Sequence, residues 1–558
     1  MILQELRKRP WLVFNFGVRE KLTSGLGTLY FTAALREGGM DATRVNLSGT
    51  DVPADVAARV PEGAVVGLHS MSGLPLQRCL SLARYLRANR RDVPIVWGGP
   101  ACTFYSDLIA ESGLADVIVQ GEGEPFAWAV TRGLTDGIDM HRSGGVVLVA
   151  TPMVADLDTL PLLPNSFPLN DLVYPYDRFG KTVYAYDMQL SRGCWGKCRF
   201  CYVGSTRYRC HSAVRLSKEL DLIAGTRVEF VRFLDDTFPL SSSIVETLEG
   251  WVRSVGRSMS FFCELRLEQL ENTALLRRFA RIGLRDVFVG LESGDANELA
   301  ELGKPIDAGC LQSRVGTMRD LGVDVFVGLL LNIPGQTQLR LDRTLRVAAS
   351  ANATAYYPVF VRPYPGFPLR HQTMVSKEQT VNDVANQEWL ELDANCTKDI
   401  PDQVLVDAMV KLKTLPLVKR ALAQSSCMSI DEQARSDHLG LTVTAGQLCL
   451  EVPQKALGTM VDRRCAHEHC NALLLWALAE AGPTEWHLVR RTALRLVNHP
   501  NYFLRALALW VIGKQMPGTD LSSEDVEAAA RSLLQDGHTL VRVMARRILN
   551  RMGVLQCA

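Results

Sequence analysis

Two long stretches of the chain alternate short apolar runs with amphipathic ones, and this alternation restricts the available folds more than any other feature. Over residues 11–135, Trp11–Phe16, 64–68, 94–97 and 117–119 read as strands, with helical patterns such as 27–37 and 74–88 between them. Strand–helix–strand order implies a parallel sheet covered on both faces. Residues 1–150 are therefore expected to form a doubly wound, Rossmann-like α/β domain. A second series, 181–375, has strand patterns at 185–190, 228–234, 260–264, 286–290, 323–331 and 355–361. Six regularly spaced units predict a partial or full β/α barrel. The proline-rich stretch 151–180 between them reads as a linker. Residues 376–558 read as mostly helical. Ala472-Leu473-Leu474-Leu475-Trp476 returns as Ala506-Leu507-Ala508-Leu509-Trp510, and Leu504-Arg505-Ala506-Leu507-Ala508 echoes Val541-Arg542-Val543-Met544-Ala545. Such spacing predicts a short HEAT-like helical solenoid from about residue 465, with an irregular bundle as the alternative.

Composition narrows the class. With 47% hydrophobic and 22% charged residues, the chain is not disordered, collagenous or a coiled-coil rod. The 61 basic and 60 acidic residues leave a formal charge of +1, so no global field points to nucleic acid or an anionic membrane. No apolar run reaches 18 residues, and no secretory signal is evident. Fourteen cysteines then suggest reactive or metal-bound thiols in a reducing cytosol rather than disulfides.

The densest chemistry is Cys194-Trp195-Gly196-Lys197-Cys198-Arg199-Phe200-Cys201-Tyr202, just past the first strand of the second series. Soft thiolates select zinc or iron–sulfur clusters. A zinc loop would need a fourth ligand, for which Cys210 and His211 are the local candidates. Three cysteines on a four-iron, four-sulfur cluster leave one iron open for a substrate or cofactor.

The Cys-x3-Cys-x-aromatic-Cys pattern resembles the signature of radical S-adenosylmethionine enzymes. The resemblance implies that Cys194, Cys198 and Cys201 hold the cluster, with Phe200 and Tyr202 bordering the cofactor. In that family the open iron chelates S-adenosylmethionine, and one electron splits it to a 5′-deoxyadenosyl radical. The rest of the series is similar to the family's later strands. Phe233-Leu234-Asp235-Asp236-Thr237-Phe238 resembles its second, Phe262-Cys263-Glu264-Leu265-Arg266 its third and Val289-Gly290-Leu291-Glu292-Ser293-Gly294 its fourth. Val327-Gly328 through Ile333-Pro334-Gly335-Gln336-Thr337 resembles its fifth and Pro363-Tyr364-Pro365-Gly366 its sixth. Asp235, Asp236, Glu292 and Ser293 become expected cofactor contacts, although Asp235 and Asp236 equally suit a turn cap.

The first domain is similar to the cobalamin-binding domain of a large subgroup of that family. Ligands of doubly wound sheets sit at the carboxyl ends of the strands. Those ends carry His69-Ser70-Met71-Ser72, Gly98-Gly99-Pro100 and Gly121-Glu122-Gly123-Glu124. His69, Ser70, Met71, Ser72, Gly98, Gly99, Pro100, Gly121 and Glu122 are the expected cobalamin contacts, with cobalt coordination by His69 left open. The implied cofactors are a 4Fe-4S cluster, S-adenosyl-L-methionine and cobalamin. The implied activity is a cytoplasmic, cobalamin-dependent methyltransferase acting on an unactivated carbon of a specialised metabolite or peptide. A flavodoxin- or ferredoxin-like protein would supply its electrons. A non-methylating rearrangement, cyclisation or oxidation, a polar methyl transfer, and a dead scaffold are the alternatives. Outside these motifs, Cys465, His467, His469 and Cys470 crowd possible ligands without forming one obvious site.

Overall fold

The computed structural model describes residues 2–16, 25–47, 51–178, 181–361, 369, 380–385, 392, 395–423, 442–444, 449–451, 468–480, 486–515 and 524–554. The chain divides into two compact units. One comprises Met1–Val287, Leu321–Val323 and Arg362–Trp389, the other Phe288–Asp320, Asp324–Val361 and Leu390–Ala558.

The first unit opens with seven strands: β1 Trp11–Phe16, β2 Ala42–Leu47, β3 Val65–His69, β4 Ile95–Gly98, β5 Val117–Gln120, β6 Asp139–Ser143 and β7 Val146–Ala150. Their order is β2-β1-β3-β4-β5-β7-β6, parallel except for the β6–β7 hairpin. β1 lies inside the sheet, next to edge strand β2, and is buried along its whole length, which is why it reads as a nearly unbroken apolar run. Leu12 and Phe14 join one core with Trp97, while Trp11 and Val13 join another with Phe126, as the two-residue side-chain period demands. Consecutive strands leave β1 toward opposite edges, β2 on one side and β3 on the other, so a topological switch point lies between β1 and β3.

The structure departs from the sequence expectations at three places. β2, β6 and β7 were not among the expected strands, although β7 is a buried apolar run, Val146–Ala150. β2 is an edge strand with mixed burial, and β6 is exposed throughout. The signal for the hairpin was Gly144-Gly145, whose φ values of 55° and 90° suit a two-residue turn. Next, 151–180 is no free linker. Val154, Leu157, Leu160, Leu163, Phe167 and Leu172 are buried, and β8 (Val173–Arg178) pairs antiparallel with β9 (Lys181–Met188). Its prolines punctuate short helices at Leu163–Ser166 and Leu169–Leu172 without keeping the intervening apolar residues from the core. Finally, the helix Val381–Ala385 belongs with the first domain rather than the helical region. It packs on Leu74–Asn89, where Val381 and Val384 enter the core and the Val384 carbonyl accepts from Gly73 N at 3.2 Å.

After β9 come β10 (Ser191–Arg192) and β11 (Arg209–Cys210), a two-residue antiparallel pair, then β12 (Phe230–Phe233) and β13 (Ser260–Arg266). β14 (Leu284–Glu292) begins in the first unit and ends in the second, followed by β15 (Asp324–Leu331) and β16 (Ala355–Phe360). The strand order β16-β15-β14-β13-β12-β9-β8 makes an open, half-barrel sheet, in which β9–β12, β12–β13 and β15–β16 pair parallel and edge strand β8 pairs antiparallel with β9. Pro363, Tyr364, Pro365 and Gly366 lie outside the described residues, as do Cys465 and His467.

In the second unit, the helices Glu468–Glu480, Tyr502–Gln515 and Thr539–Arg551 pack in succession, with Trp486–Leu496 and Glu524–Ser532 between them in sequence. The echoed apolar segments fall on these three helices, where Trp476, Trp510 and Val541 are buried. No described helix is long and apolar enough to cross a membrane.

Candidate functional site: the cysteine loop and the cavity beside it

The cysteine loop leaves and rejoins the sheet through a narrow neck. β10 and β11 pair Ser191 with Cys210 and Arg192 with Arg209, closing off the residues between them. Within the loop, Cys194, Cys198 and Cys201 are half-buried and form no disulfide. Cys194 Sγ lies 3.0 Å from Thr237 Oγ1 and accepts the Gly196 amide at 3.3 Å. The Arg266 guanidinium approaches Cys198 Sγ at 4.0 Å while pairing with Glu268 at 2.8 Å. Burial pushes the Cys201 thiol up to about 11. A buried thiol becomes a thiolate only where positive charge offsets it, and bound metal provides that. Neither fourth-ligand candidate for a zinc loop is committed to the cysteines. His211 Nδ1 lies 3.1 Å from Asp158 Oδ1, and Cys210 is exposed.

Of the acidic pair after β12, the two members play different parts. Asp235 Oδ1 accepts from the Leu190 amide at 2.8 Å, the Ser191 hydroxyl at 2.8 Å and the Ser191 amide, pinning the approach to the loop. Its other oxygen is buried without a partner, and burial raises the carboxyl to about 8. Asp236 accepts Gly193 N at 3.3 Å and faces the cavity described below. Glu264 was not among the expected site residues. Burial raises it to about 7, with Asp236 adding like charge. The available clue was alternation along β13, which turns Phe262, Glu264 and Arg266 away from the buried face.

At the carboxyl ends of β1, β3, β4 and β5 opens a cavity of about 470 Å³, within the usual range for cofactor sites. His69, Gly98, Gly99, Pro100, Gly121 and Glu122 line it, together with Tyr202, Val203 and Thr206 of the cysteine loop. The Tyr202 ring meets Phe104 edge-on at 5.7 Å, so a loop aromatic rests on the first domain. Burial, with Arg44 nearby, lowers His69 to about 4 and keeps the imidazole neutral. A neutral imidazole is the form that coordinates a metal. Other expected contacts stand back from the cavity. Ser70 is fully buried and bonded to Gly98 O at 3.1 Å, Met71 is exposed, and Ser72 is not among the lining residues. Phe200 is half-buried in the loop and does not line the cavity either. The Glu122 carboxylate is occupied by Arg209, at 2.7 and 3.2 Å, and by Val154 N at 2.7 Å.

In the second unit, Glu292 ends β14 with φ 73°, a strained value for a non-glycine residue. Lys304 Nζ holds its carboxylate at 2.8 Å and donates to Gly290 O at 2.8 Å. Ser293 is buried and donates to Glu298 at 2.5 Å, beside Thr344 Oγ1 at 3.2 Å.

The family model described as the B12 binding domain matches residues 14–130, and that of the radical SAM superfamily matches 188–348. The chain is a cobalamin-binding radical S-adenosylmethionine enzyme. As the family requires, its cofactors are cobalamin, a 4Fe-4S cluster and S-adenosylmethionine. The three thiols with their amide and guanidinium neighbours, and the glycine-edged cavity with its neutral imidazole, suit the first two. Relatives of this enzyme include an uncharacterized methyltransferase of Pyrococcus horikoshii, 24% identical over 61% of this chain and 76% of that one. Another is the hopanoid C-3 methylase of Methylococcus capsulatus, 24% identical over 55% of this chain and 60% of its own length. The chain thus spans about three fifths of the latter. The solved cobalamin-dependent S-adenosylmethionine radical enzyme OxsB with aqua-cobalamin shares the fold, at TM-score 0.51 and 13% identity, over 98% of this chain and 85% of that one.

Proposed function

We propose that this enzyme transfers a methyl group to an unactivated carbon of a small metabolite or peptide. The observation that carries the reading is the shared wall of the cavity. Strand ends of the cobalamin domain form one side, and Tyr202, Val203 and Thr206 of the cysteine loop form the other. Chemistry that hands a group between two cofactors needs them side by side, since reacting centres must be held in near-attack geometry. Bound together, the cofactors would supply a substrate radical and a cobalt-held methyl group to meet it.

In this reading Cys194, Cys198 and Cys201 hold the cluster, with Phe200 and Tyr202 at its border. His69, Gly98, Gly99, Pro100 and Gly121 take the corrin. Asp236, Glu292 and Ser293 serve S-adenosylmethionine, while Asp235 orients the loop and Glu122 stands on the cavity wall, held by Arg209. Domains at 1–150, 181–375 and 376–558 go with it, amended by the return of Val381–Ala385 to the first. The helical region contributes substrate or partner recognition, and a flavodoxin- or ferredoxin-like donor supplies electrons. Relatives named as methyltransferases support this reading, and one named as a cyclase leaves cyclisation as the alternative.

Anaerobic reconstitution tests the proposal. Wild-type protein should take up iron, sulfide and cobalamin, and Cys198→Ala should lose the iron while keeping cobalamin. With a reductant, methyl-labelled S-adenosylmethionine and candidate substrates, mass spectrometry should find 5′-deoxyadenosine and labelled product together. Deoxyadenosine with an unmethylated product would establish the non-methylating alternative.

A further inference from the structure

Two arginines and two glutamates tie the neck of the cysteine loop to the cobalamin domain. Arg192 precedes Cys194 by two residues, and Arg209 faces it across the neck. Arg192 forks onto Glu124 at 2.7 and 3.3 Å and reaches Glu122 at 3.3 Å. Arg209 forks onto Glu122 at 2.7 and 3.2 Å and also donates to Val154 O at 2.5 Å. The Arg192 guanidinium lies 5.4 Å from the Tyr30 ring centroid, and its Nε donates to Gln189 Oε1 at 3.2 Å.

The side chains of Arg192, Glu124, Arg209 and Glu122 are only 13%, 4%, 7% and 18% exposed. Exposed ion pairs are soft and screened, whereas buried forked ones are directional. Two positive and two negative charges cancel, so the quartet avoids an uncompensated buried charge. Both glutamates belong to the Gly121-Glu122-Gly123-Glu124 turn, whose glycines line the cavity. Each arm of the loop's neck is therefore fastened to the turn that edges the cavity.

We propose that this quartet is a clamp setting the spacing between the cysteine loop and the cavity, with Arg192 as its central positioning residue. The proposal rests on the functional reading above, in which the loop holds the cluster and the cavity the corrin. Arg192 borders the cavity from the neck of the loop, and its proposed part is to anchor that loop. A lysine keeps the charge but loses the fork, so it cannot hold the same geometry.

The test uses full-length holoenzyme reconstituted anaerobically, as wild type, Arg192→Lys and Glu124→Gln. Iron and cobalamin contents are measured first, and electron paramagnetic resonance of the reduced cluster with cob(II)alamin is recorded next. Wild type should show magnetic interaction between the two centres. Both variants should keep both cofactors yet lose much of that interaction. Labelled product per 5′-deoxyadenosine should fall about tenfold or more, since about 1 Å of misplacement can cost up to about a hundredfold. Variants with full cofactor content and wild-type spectra would overturn the clamp, as would an uncoupled wild type holding both cofactors. If Arg192→Lys does not fold, Glu124→Gln, which preserves side-chain shape, decides alone. Wild type that takes up neither cofactor would instead defeat the functional reading, and the clamp's purpose with it.

Discussion

Adjacent glycines at the end of β4 make opposite predictions. Gly98 lines the cavity, and a Cβ there would meet no heavy atom within 4 Å. Gly99 has φ 98°, and its Cβ would lie 2.6 Å from Ser70 O and 3.0 Å from His69 Cδ2. Gly98→Ala should therefore leave the apoprotein intact, or stabilise it by about 0.4–1 kcal/mol through the unfolded chain. Its methyl instead occupies space the corrin needs. An overpacking cost of about 1–3 kcal/mol weakens cobalamin binding by roughly 5- to 150-fold. Gly99→Ala pays for left-handed backbone and for a clash with the Ser70 carbonyl. Together these give a loss of about 2–5 kcal/mol, or roughly 4–20 °C in the unfolding midpoint. Thermal unfolding of the apoproteins and absorbance titration with hydroxocobalamin measure both quantities. A Gly98→Ala protein that binds cobalamin as tightly as wild type would refute the placement of the corrin over this strand end. A Gly99→Ala protein of unchanged midpoint would refute the steric reasoning.

Three further outcomes follow from the electrostatics. His69→Ala should change the absorption spectrum or affinity of bound cobalamin while leaving S-adenosylmethionine binding within about twofold, because the imidazole lines the cavity and is neutral; equal effects in both titrations would contradict it. Burial lowers His211 to about 4, so the unfolded chain takes up its proton first as pH falls. That group's contribution is full above about pH 6.5 and is lost progressively toward pH 4, and His211→Gln should flatten this part of a stability–pH curve. Lys304→Met strands the Glu292 carboxylate against a strained backbone and should destabilise by about 3 kcal/mol in thermal unfolding. Adding Glu292→Gln should recover part of that loss; a double variant worse than the single one would contradict the pairing.

Local periodicity made most of the architecture legible. β1 is an apolar run because both its faces are covered, and the long helices carry their own stripe. Where strands are polar the pattern failed, at edge strand β2 and exposed β6, although the Gly144-Gly145 turn was a readable sign of the hairpin. The prolines of 151–180 were misread because punctuation says where the chain turns, not whether it packs. Candidate site residues divided along similar lines. His69, Gly98, Gly99 and Pro100 stand on the cavity because strand ends dictate their place. Ser70, one residue further, points the other way into the core.

The chain's letters alone carried the cysteine spacing, the strand ends and, through resemblance, the cofactors, since each depends on neighbours within a few residues. Which charged groups meet was decided by tertiary structure. Glu122 was expected as a cobalamin contact, but its pairing with Arg209, and that of Glu124 with Arg192, join residues distant along the chain. No local pattern encodes such a meeting, because ion pairs across a fold depend on where whole elements pack and how completely water is excluded between them.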